Sequence, residues 1–373
     1  MGDLCVNISE IKLGFQSIAR AMNKNGDEKV CRSENPEMSD SEFEGVMNFA
    51  RIDELLVMNA IRSQMVFRSE SEKILQLRNI NSNAPIDFYY LSDIIEKVED
   101  GYVTSLSLSS FQVRDISTLA GFTHLQHLSL SKTEVVDLCA LGGLTNLLSL
   151  SLQDTKVRDI GPLARLHNLR ELDISFTQIE DIEPLAGLIN LQEIDLSATK
   201  VVNISALSNL TNLQKLSMYG TPVNDLTALT KLANLQRLNM RESQVRDIAP
   251  LAGLKKLQVL ELFGTKVGDI SALAALNDLR YLFLNGTQVR DISALSGLQN
   301  LKELDLSNTM IGDIRAISNL SNLRELNLSG TQVRDISALS KLTNLQTLVI
   351  SPKVSTAQVN AIQRALPNLN IVR

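Results

Sequence analysis

Between about residue 105 and residue 350 the chain repeats one pattern every 22 residues. Thr133, Thr155, Thr177, Thr199 and Thr221 are evenly spaced (155 − 133 = 22), and Ser243, Thr265, Thr287, Thr309 and Thr331 continue the count with no insertion. A period this short marks a solenoid, in which each unit stacks only on its neighbours. Counted from one leucine, the unit is L-x-x-L-x-L-x-x-T-x-V-x-D-I-x-x-L-x-x-L-x-N, written out by Leu147, Leu150, Leu152, Thr155, Val157, Asp159, Ile160, Leu163, Leu166 and Asn168.

The x-L-x-L segment alternates, so it predicts a strand whose two leucines point inward and whose neighbours point outward. Parallel stacking at roughly 4.8 Å per strand gives eleven such strands a sheet on the order of 50 Å long. Five further positions, illustrated by Val157, Ile160, Leu163, Leu166 and Leu169, are expected to fill the inside of the coil. One coil alone has too little core to offset its chain entropy, so neighbours are required.

The flanking segments read as helices and caps. Residues 1–22 are expected to form an amphipathic helix on Ile8, Ile11, Leu13, Phe15 and Ile18, followed by a polar linker to residue 40. Ser41 and Glu44 make a capping box that starts a long helix to about residue 68, with a second helix over 70–77. A further helix is expected over 91–99, with Ser92 as its cap and Gly101 at its end. Ile86, Phe88, Tyr89, Tyr90, Ile94, Ile95 and Val98 are placed to cover the open edge of the first coil. At the other end Ser355 or Thr356 starts a helix through Leu366, and Leu369 and Ile371 close with a short strand. The organisation expected is 1–40, helix and linker; 41–103, helical region and N-terminal cap; 104–352, about eleven repeats; 353–373, C-terminal cap. A solenoid closed at both ends in this way reads as complete.

A formal net charge of −6 and a pI near 5.3 argue against a nucleic-acid grip, which needs a basic surface, and against an anionic lipid surface. No apolar run is long enough to span a membrane, and the first twenty residues lack the basic start and apolar core of a secretory signal. Cys5, Cys31 and Cys139 leave no even disulfide framework, which points to a reducing, cytoplasmic setting.

Two ladders resemble functional sites. Asp115, Asp137, Asp159, Asp181, Asp225, Asp247, Asp269, Asp291, Asp313 and Asp335 stack one per coil, as a cation column would. Asn203 occupies the same place and brings no charge, so the column is expected to cap the following turns by accepting backbone N–H groups. The threonine hydroxyls are expected to bond backbone groups of the turn and of adjacent coils. Arg114, Arg158, Arg246, Arg290 and Arg334 never fall in adjacent coils, which suits a solvated face better than a basic stripe. His124, His127 and His167 have no cysteine or histidine set around them that would make a metal centre. Phosphate-binding, dinucleotide-binding and nucleophile-elbow motifs are missing from the sequence, so no catalytic residue, metal or cofactor is expected.

The outward strand positions change character along the repeat. Ser107, Ser109, Ser129 and Ser151 come first, then the acidic Glu171, Asp173, Glu193 and Asp195. The middle presents Lys215, Tyr219, Arg237, Asn239, Arg241, Val259, Glu261, Phe263, Tyr281 and Phe283, and beyond it come Glu303, Asp305 and Glu325. Outward strand positions have no packing reason to be large and aromatic. Tyr219, Arg237, Arg241, Val259, Phe263, Tyr281 and Phe283 are therefore the expected protein-binding patch, with Glu171, Asp173, Glu193, Asp195, Glu303, Asp305 and Glu325 steering a partly basic partner.

With these residues in place, the unit resembles the 22-residue leucine-rich repeat of bacterial internalins and of regulatory subunits of type 1 protein phosphatase. The D-I-x-x-L element, as in Asp181, Ile182 and Leu185, is nearer to the internalins. The resemblance covers about two thirds of the chain. It implies an α/β, right-handed leucine-rich-repeat solenoid with a parallel concave sheet and short 3₁₀ or helical convex turns, flanked by an α-helical N-terminal region and a C-terminal helical cap. It also implies protein binding on the concave sheet. Threonine stands where that family usually has asparagine, and neither a signal peptide nor a wall anchor is visible. The expectation is a non-enzymatic, monomeric interaction scaffold, bacterial and acting in its own cell or delivered into a host as an effector. Two alternatives stay open: an adaptor or ligase-type enzyme with its activity in residues 1–85, and a phosphatase-regulating subunit.

Overall fold

The computed structural model describes Cys5–Asn7, Lys29–Cys31, Ile95–Glu99 and residues 102–373, in two compact units, Met1–Lys156 and Val157–Arg373. In the second unit strands of three residues run parallel in chain order, from Glu171–Asp173 to Asn370–Val372. Each repeat strand up to Glu325–Asn327 pairs with the residues 22 positions on, so Arg237 lies opposite Val259 and Val259 opposite Tyr281. Short 3₁₀ helices such as Thr227–Lys231, Ala249–Gly253 and Ser271–Ala275 return the chain from one strand to the next. Of the helical forms that the resemblance allowed for the turns, the tighter one is used.

The core follows the pattern of the sequence. In one coil Leu260, Leu262, Val267, Ile270, Leu273, Leu276 and Leu279 are each at most 2% exposed, the two strand leucines and the five turn positions together. Truncating any of them leaves a cavity that the coils on either side cannot close.

Three side-chain devices repeat in the turns. Nine threonines, from Thr133 to Thr331, donate their hydroxyl to the carbonyl three residues back, as Thr221 does to Met218 at 2.8 Å. These bonds stay within one coil and do not reach the adjacent ones. Ser243 keeps the hydroxyl but leaves it buried without a partner. The aspartate ladder caps as expected: Asp225 Oδ1 accepts the Thr227 N–H at 2.9 Å, and Asn203 does the same for Ser205. The acceptor sits one residue ahead of the apolar N-cap, so each is an Asx turn that leads into the 3₁₀ helix. The third device is the asparagine that ends the unit. Asn212 Nδ2 donates to the Ile189 carbonyl at 3.0 Å and Asn234 to Thr211 at 2.9 Å, tying each coil that carries the asparagine to the one before; Lys256 and Asp278 replace it in two coils.

In the first unit Tyr102–Ser107, His127–Ser129 and Ser149–Ser151 pair in parallel in the same register. The segment expected as a helix over 91–99 is instead, over Ile95–Glu99, a strand antiparallel to Tyr102–Ser107. Register shifts between Ile95, Lys97 and Val98 explain the misreading. They turn Ile95 and Val98, three residues apart as on a helix, to the same side, where both are 3% exposed. Cys5–Asn7 and Lys29–Cys31 form an antiparallel pair, with Val6 opposite Val30, where a helix and a polar linker were expected. Pairing between segments distant in sequence cannot be seen in local periodicity. The helices expected over 41–68 and 70–77, and the rest of 1–22, lie outside the described residues.

At the C-terminal end the helix Thr356–Ala365 starts on Ser355, whose hydroxyl accepts the Gln358 N–H. Gln358 Oε1 in turn accepts the Ile336 N–H at 3.0 Å, and Ile362, Leu366 and Leu369 are buried.

Two substitutions test the turn devices. Ser243→Thr restores the β-branch that fixes the hydroxyl toward the Met240 carbonyl, and is expected to raise unfolding stability by about 0.5–1.5 kcal/mol in a denaturant titration. Hydrogen bonds from Thr227 hold the Asp225 carboxyl below its ordinary value of 3.8. A lowered folded pKa contributes stability that is complete above 3.8 and is lost as pH falls through the folded value. Asp225→Asn is expected to keep the neutral-pH Tm and to flatten its decline in acid, whereas Asp225→Ala lowers Tm at neutral pH.

Candidate protein-binding face

The residues expected to bind lie in the second unit on three outward rows. The first row runs Glu171, Glu193, Lys215, Arg237, Val259, Tyr281, Glu303 and Glu325, each opposite the next. Two residues on, the second row holds Asp173, Asp195, Glu261, Phe283 and Asp305 in the same register. Tyr219, Arg241 and Phe263 form a third row just past the strand ends. There the backbone ladder continues through the Gly220 N–H to the Arg241 carbonyl at 2.8 Å and the Glu242 N–H to the Phe263 carbonyl at 2.7 Å. Register therefore gathers all seven patch residues onto adjacent coils and sets acidic strands before and after them.

Exposure follows the pleat. Leu238, Leu260 and Leu282 are buried, while Arg237 is exposed and Val259, Tyr281 and Phe283 are half-buried beside them. Phe263 is the most open ring of the patch at 37%. It lies beside Gly286, whose positive φ of 70° and missing side chain leave room; a Cβ there would stand 3.5 Å from the ring.

The charges of the face are partly spent within it. Lys215 pairs with Glu193, and Arg241 Nη1 donates to Glu261 at 3.2 Å while its guanidinium stands 5.3 Å from the centre of the Tyr219 ring. Arg241 Nε is buried without a partner. Burial, with the charge of Asp173 adding to it, raises the Asp195 carboxyl above its ordinary value in spite of hydrogen bonds from Ser197. Burial followed by the charges of Glu325 and Asp305 raises Glu303 in the same way.

Two features of this face were missed in the sequence. Glu261 belongs to the patch through Arg241, a link that spans 20 residues and so falls outside the 22-residue register. Phe176 is half exposed and holds a left-handed backbone, φ 56°, on the coil that begins at Glu171. The available signal was its place before Thr177, which is glycine at 220, 264, 286 and 330, all with positive φ. In the first unit the outward serines make a hydroxyl chain, Ser109 to Ser129 and Ser131 to Ser151, each at 2.7 Å. His124 stacks on Tyr102, ring centroids 3.6 Å apart. Among the described residues no group of three acidic, histidine or cysteine side chains is gathered for a metal ion, and no helix is long and apolar enough to cross a membrane.

A parallel ladder with a 22-residue step, inward leucines and 3₁₀ returns defines a leucine-rich-repeat protein. The family model for Leucine Rich repeats (2 copies) matches residues 145–187, 278–320 and 321–368. The chain is a leucine-rich-repeat protein whose repeat is of the internalin type. An internalin, InlF of Listeria monocytogenes, is similar at 27% identity and a TM-score of 0.64, over 82% of this chain and 94% of that one. A leucine-rich-repeat protein of Leptospira interrogans shares the fold at 23% identity and a TM-score of 0.63, covering 69% of this chain and 74% of its own. So does the ectodomain of the Arabidopsis thaliana receptor kinase GASSHO1/SCHENGEN3, at 24% identity and a TM-score of 0.63, over 82% of this chain and 44% of that one. A comparison with the curated proteins finds no match.

A phenylalanine at positive φ carries a steric cost of about 1–2 kcal/mol that glycine avoids. Phe176→Gly is expected to raise unfolding stability by about 0.5–1 kcal/mol after glycine's greater chain entropy is subtracted, as read by denaturant titration. Unchanged or lower stability would show that the ring contributes packing its exposure conceals.

Proposed function

We propose that the chain is a non-enzymatic scaffold that binds a protein partner on the outward face of its sheet, anchored at Tyr219, Arg237, Arg241, Val259, Phe263, Tyr281 and Phe283. Leucine-rich repeats are typical protein-interaction scaffolds, and the observation that carries the reading here is the placement of four aromatic side chains on three of four consecutive coils of one face. The inner side of each strand is already filled by leucine or methionine, so these rings stabilise no core. Aromatic and arginine side chains dominate binding hot spots, because they remove much surface from water at a small entropic cost. The acidic strands on both sides of the patch, and the raised carboxyls within them, favour a partner with positive charge around its contact. An exposed cysteine at position 139 that joins no disulfide fits a reducing compartment.

The test is affinity capture with the intact chain beside a Phe263→Ala, Tyr281→Ala, Phe283→Ala variant whose thermal melt matches the wild type. A partner retained by the wild type and lost from the variant, with affinity reduced at least about a hundredfold for loss of three central anchors, is the expected result. Full retention on the variant would place binding elsewhere.

A further inference from the structure

The outward face brings aromatic rings and carboxylates together twice, and in one case the protein supplies the cation between them. At Tyr219 the Arg241 guanidinium faces the ring at 5.3 Å and donates to Glu261 at 3.2 Å. The ring attracts the guanidinium through its face while the carboxylate accepts N–H groups at the guanidinium's edge, so the two act on one cation without competing.

Further along the sheet the same pair of groups recurs. Tyr281 lies opposite Glu303, Phe283 opposite Asp305, and Glu303 opposite Glu325. Here no cation is paired with these acids among the described residues. Among the described residues the ion pairs of this face are Lys215 with Glu193 and Arg241 with Glu261, and neither Lys302 nor Arg324, which precede two of these acids, forms one with them. Asp305 accepts the Ser307 N–H at 2.8 Å and the Asn327 side-chain amide at 3.3 Å, both neutral donors. Burial, followed by the charges of Glu325 and Asp305, raises the Glu303 carboxyl, so neighbouring negative charge adds to the shift without being its main cause. The adjoining strand adds two apolar side chains, Val259 half-buried and Phe263 more than a third exposed, on either side of Glu261, which is paired with Arg241.

We propose that the protein partner inserts an arginine side chain at this junction, its guanidinium lying against Tyr281 and Phe283 and donating to Glu303, Asp305 and Glu325, with a neighbouring apolar residue seated at Val259 and Phe263. The inference rests on the reading of this face as the protein-binding face. It turns the aromatic cluster from a general anchor into a site that selects one residue type.

The test is selection from a random-peptide phage library on three forms of the full chain: wild type, Glu303→Gln/Asp305→Asn/Glu325→Gln, and Phe263→Ala/Tyr281→Ala/Phe283→Ala. Asn at 305 keeps the acceptor for Ser307, and matching thermal melts show that each form is folded. The wild type is expected to enrich peptides with an arginine beside an apolar residue. Those peptides should bind the amide variant about tenfold or more weakly, as should their citrulline versions on the wild type. Peptides without arginine, bound equally by the amide variant and lost only from the aromatic variant, would overturn the arginine site and leave the protein-binding face standing. Peptides bound equally by the aromatic variant, or no enrichment on the wild type, would overturn both.

Discussion

Each repeat strand hangs on hydrogen bonds to the residues 22 positions away, and this fixed step governs the rest. A strand of three residues forms few backbone bonds, so its register depends on the buried leucines that flank each outward residue. Inserting one residue would turn a leucine outward and a charge inward, and would break the ladder with both neighbours. The turn devices serve the same step. Thr221 closes its own corner on Met218, Asp225 starts the 3₁₀ return, and Asn234 reaches back to the Thr211 carbonyl. Each satisfies a backbone group that a tight coil leaves without a helical or sheet partner.

Because inner rows and turns carry the structure, the outward rows are released from it. Their residues can change from serine to acid to aromatic while the core hardly varies. The release is incomplete at Arg241, which is tied to Glu261 and Tyr219 and so is held in place on the free protein. A side chain ordered before a partner arrives loses less entropy on binding. The opposite condition holds at Glu303, whose carboxyl is raised first by burial and then by the charges of Glu325 and Asp305, with no cation paired to it among the described residues. One face thus combines a preorganised element with an unsatisfied one.

The repeat was legible because its period is written in large apolar residues. The alternation at Leu260 and Leu262, the five turn positions and the capping role of Asp225 and Asn203 all follow from spacing and side-chain chemistry. The helix expected over 91–99 was misread for a physical reason: irregular pairing gave Ile95 and Val98 a helical spacing within a strand. The link from Cys5–Asn7 to Lys29–Cys31 is a long-range pairing, which periodicity does not encode. In the candidate face, row membership was legible for Tyr219, Phe263 and Tyr281, but the contacts between rows were not, since Arg241 reaches Glu261 by side-chain direction and not by register.

The left-handed position before each turn threonine shows how structure and surface meet. Ser110, Lys132, Asp154, Phe176, Ala198, Glu242 and Asn308 take positive φ where Gly220, Gly264, Gly286 and Gly330 do so without strain. Backbone geometry alone favours glycine at every one of these places. Gly220, Gly264 and Gly286 lie on coils of the aromatic patch and Gly330 lies beyond it; a Cβ at Gly286 would stand in ordinary contact, 3.5 Å from the Phe263 ring. Glu242, between Gly220 and Gly264 in the row, shows that a side chain is compatible with the turn even there. Glycine at these corners therefore removes backbone strain, and at 286 it places no side chain against the Phe263 ring.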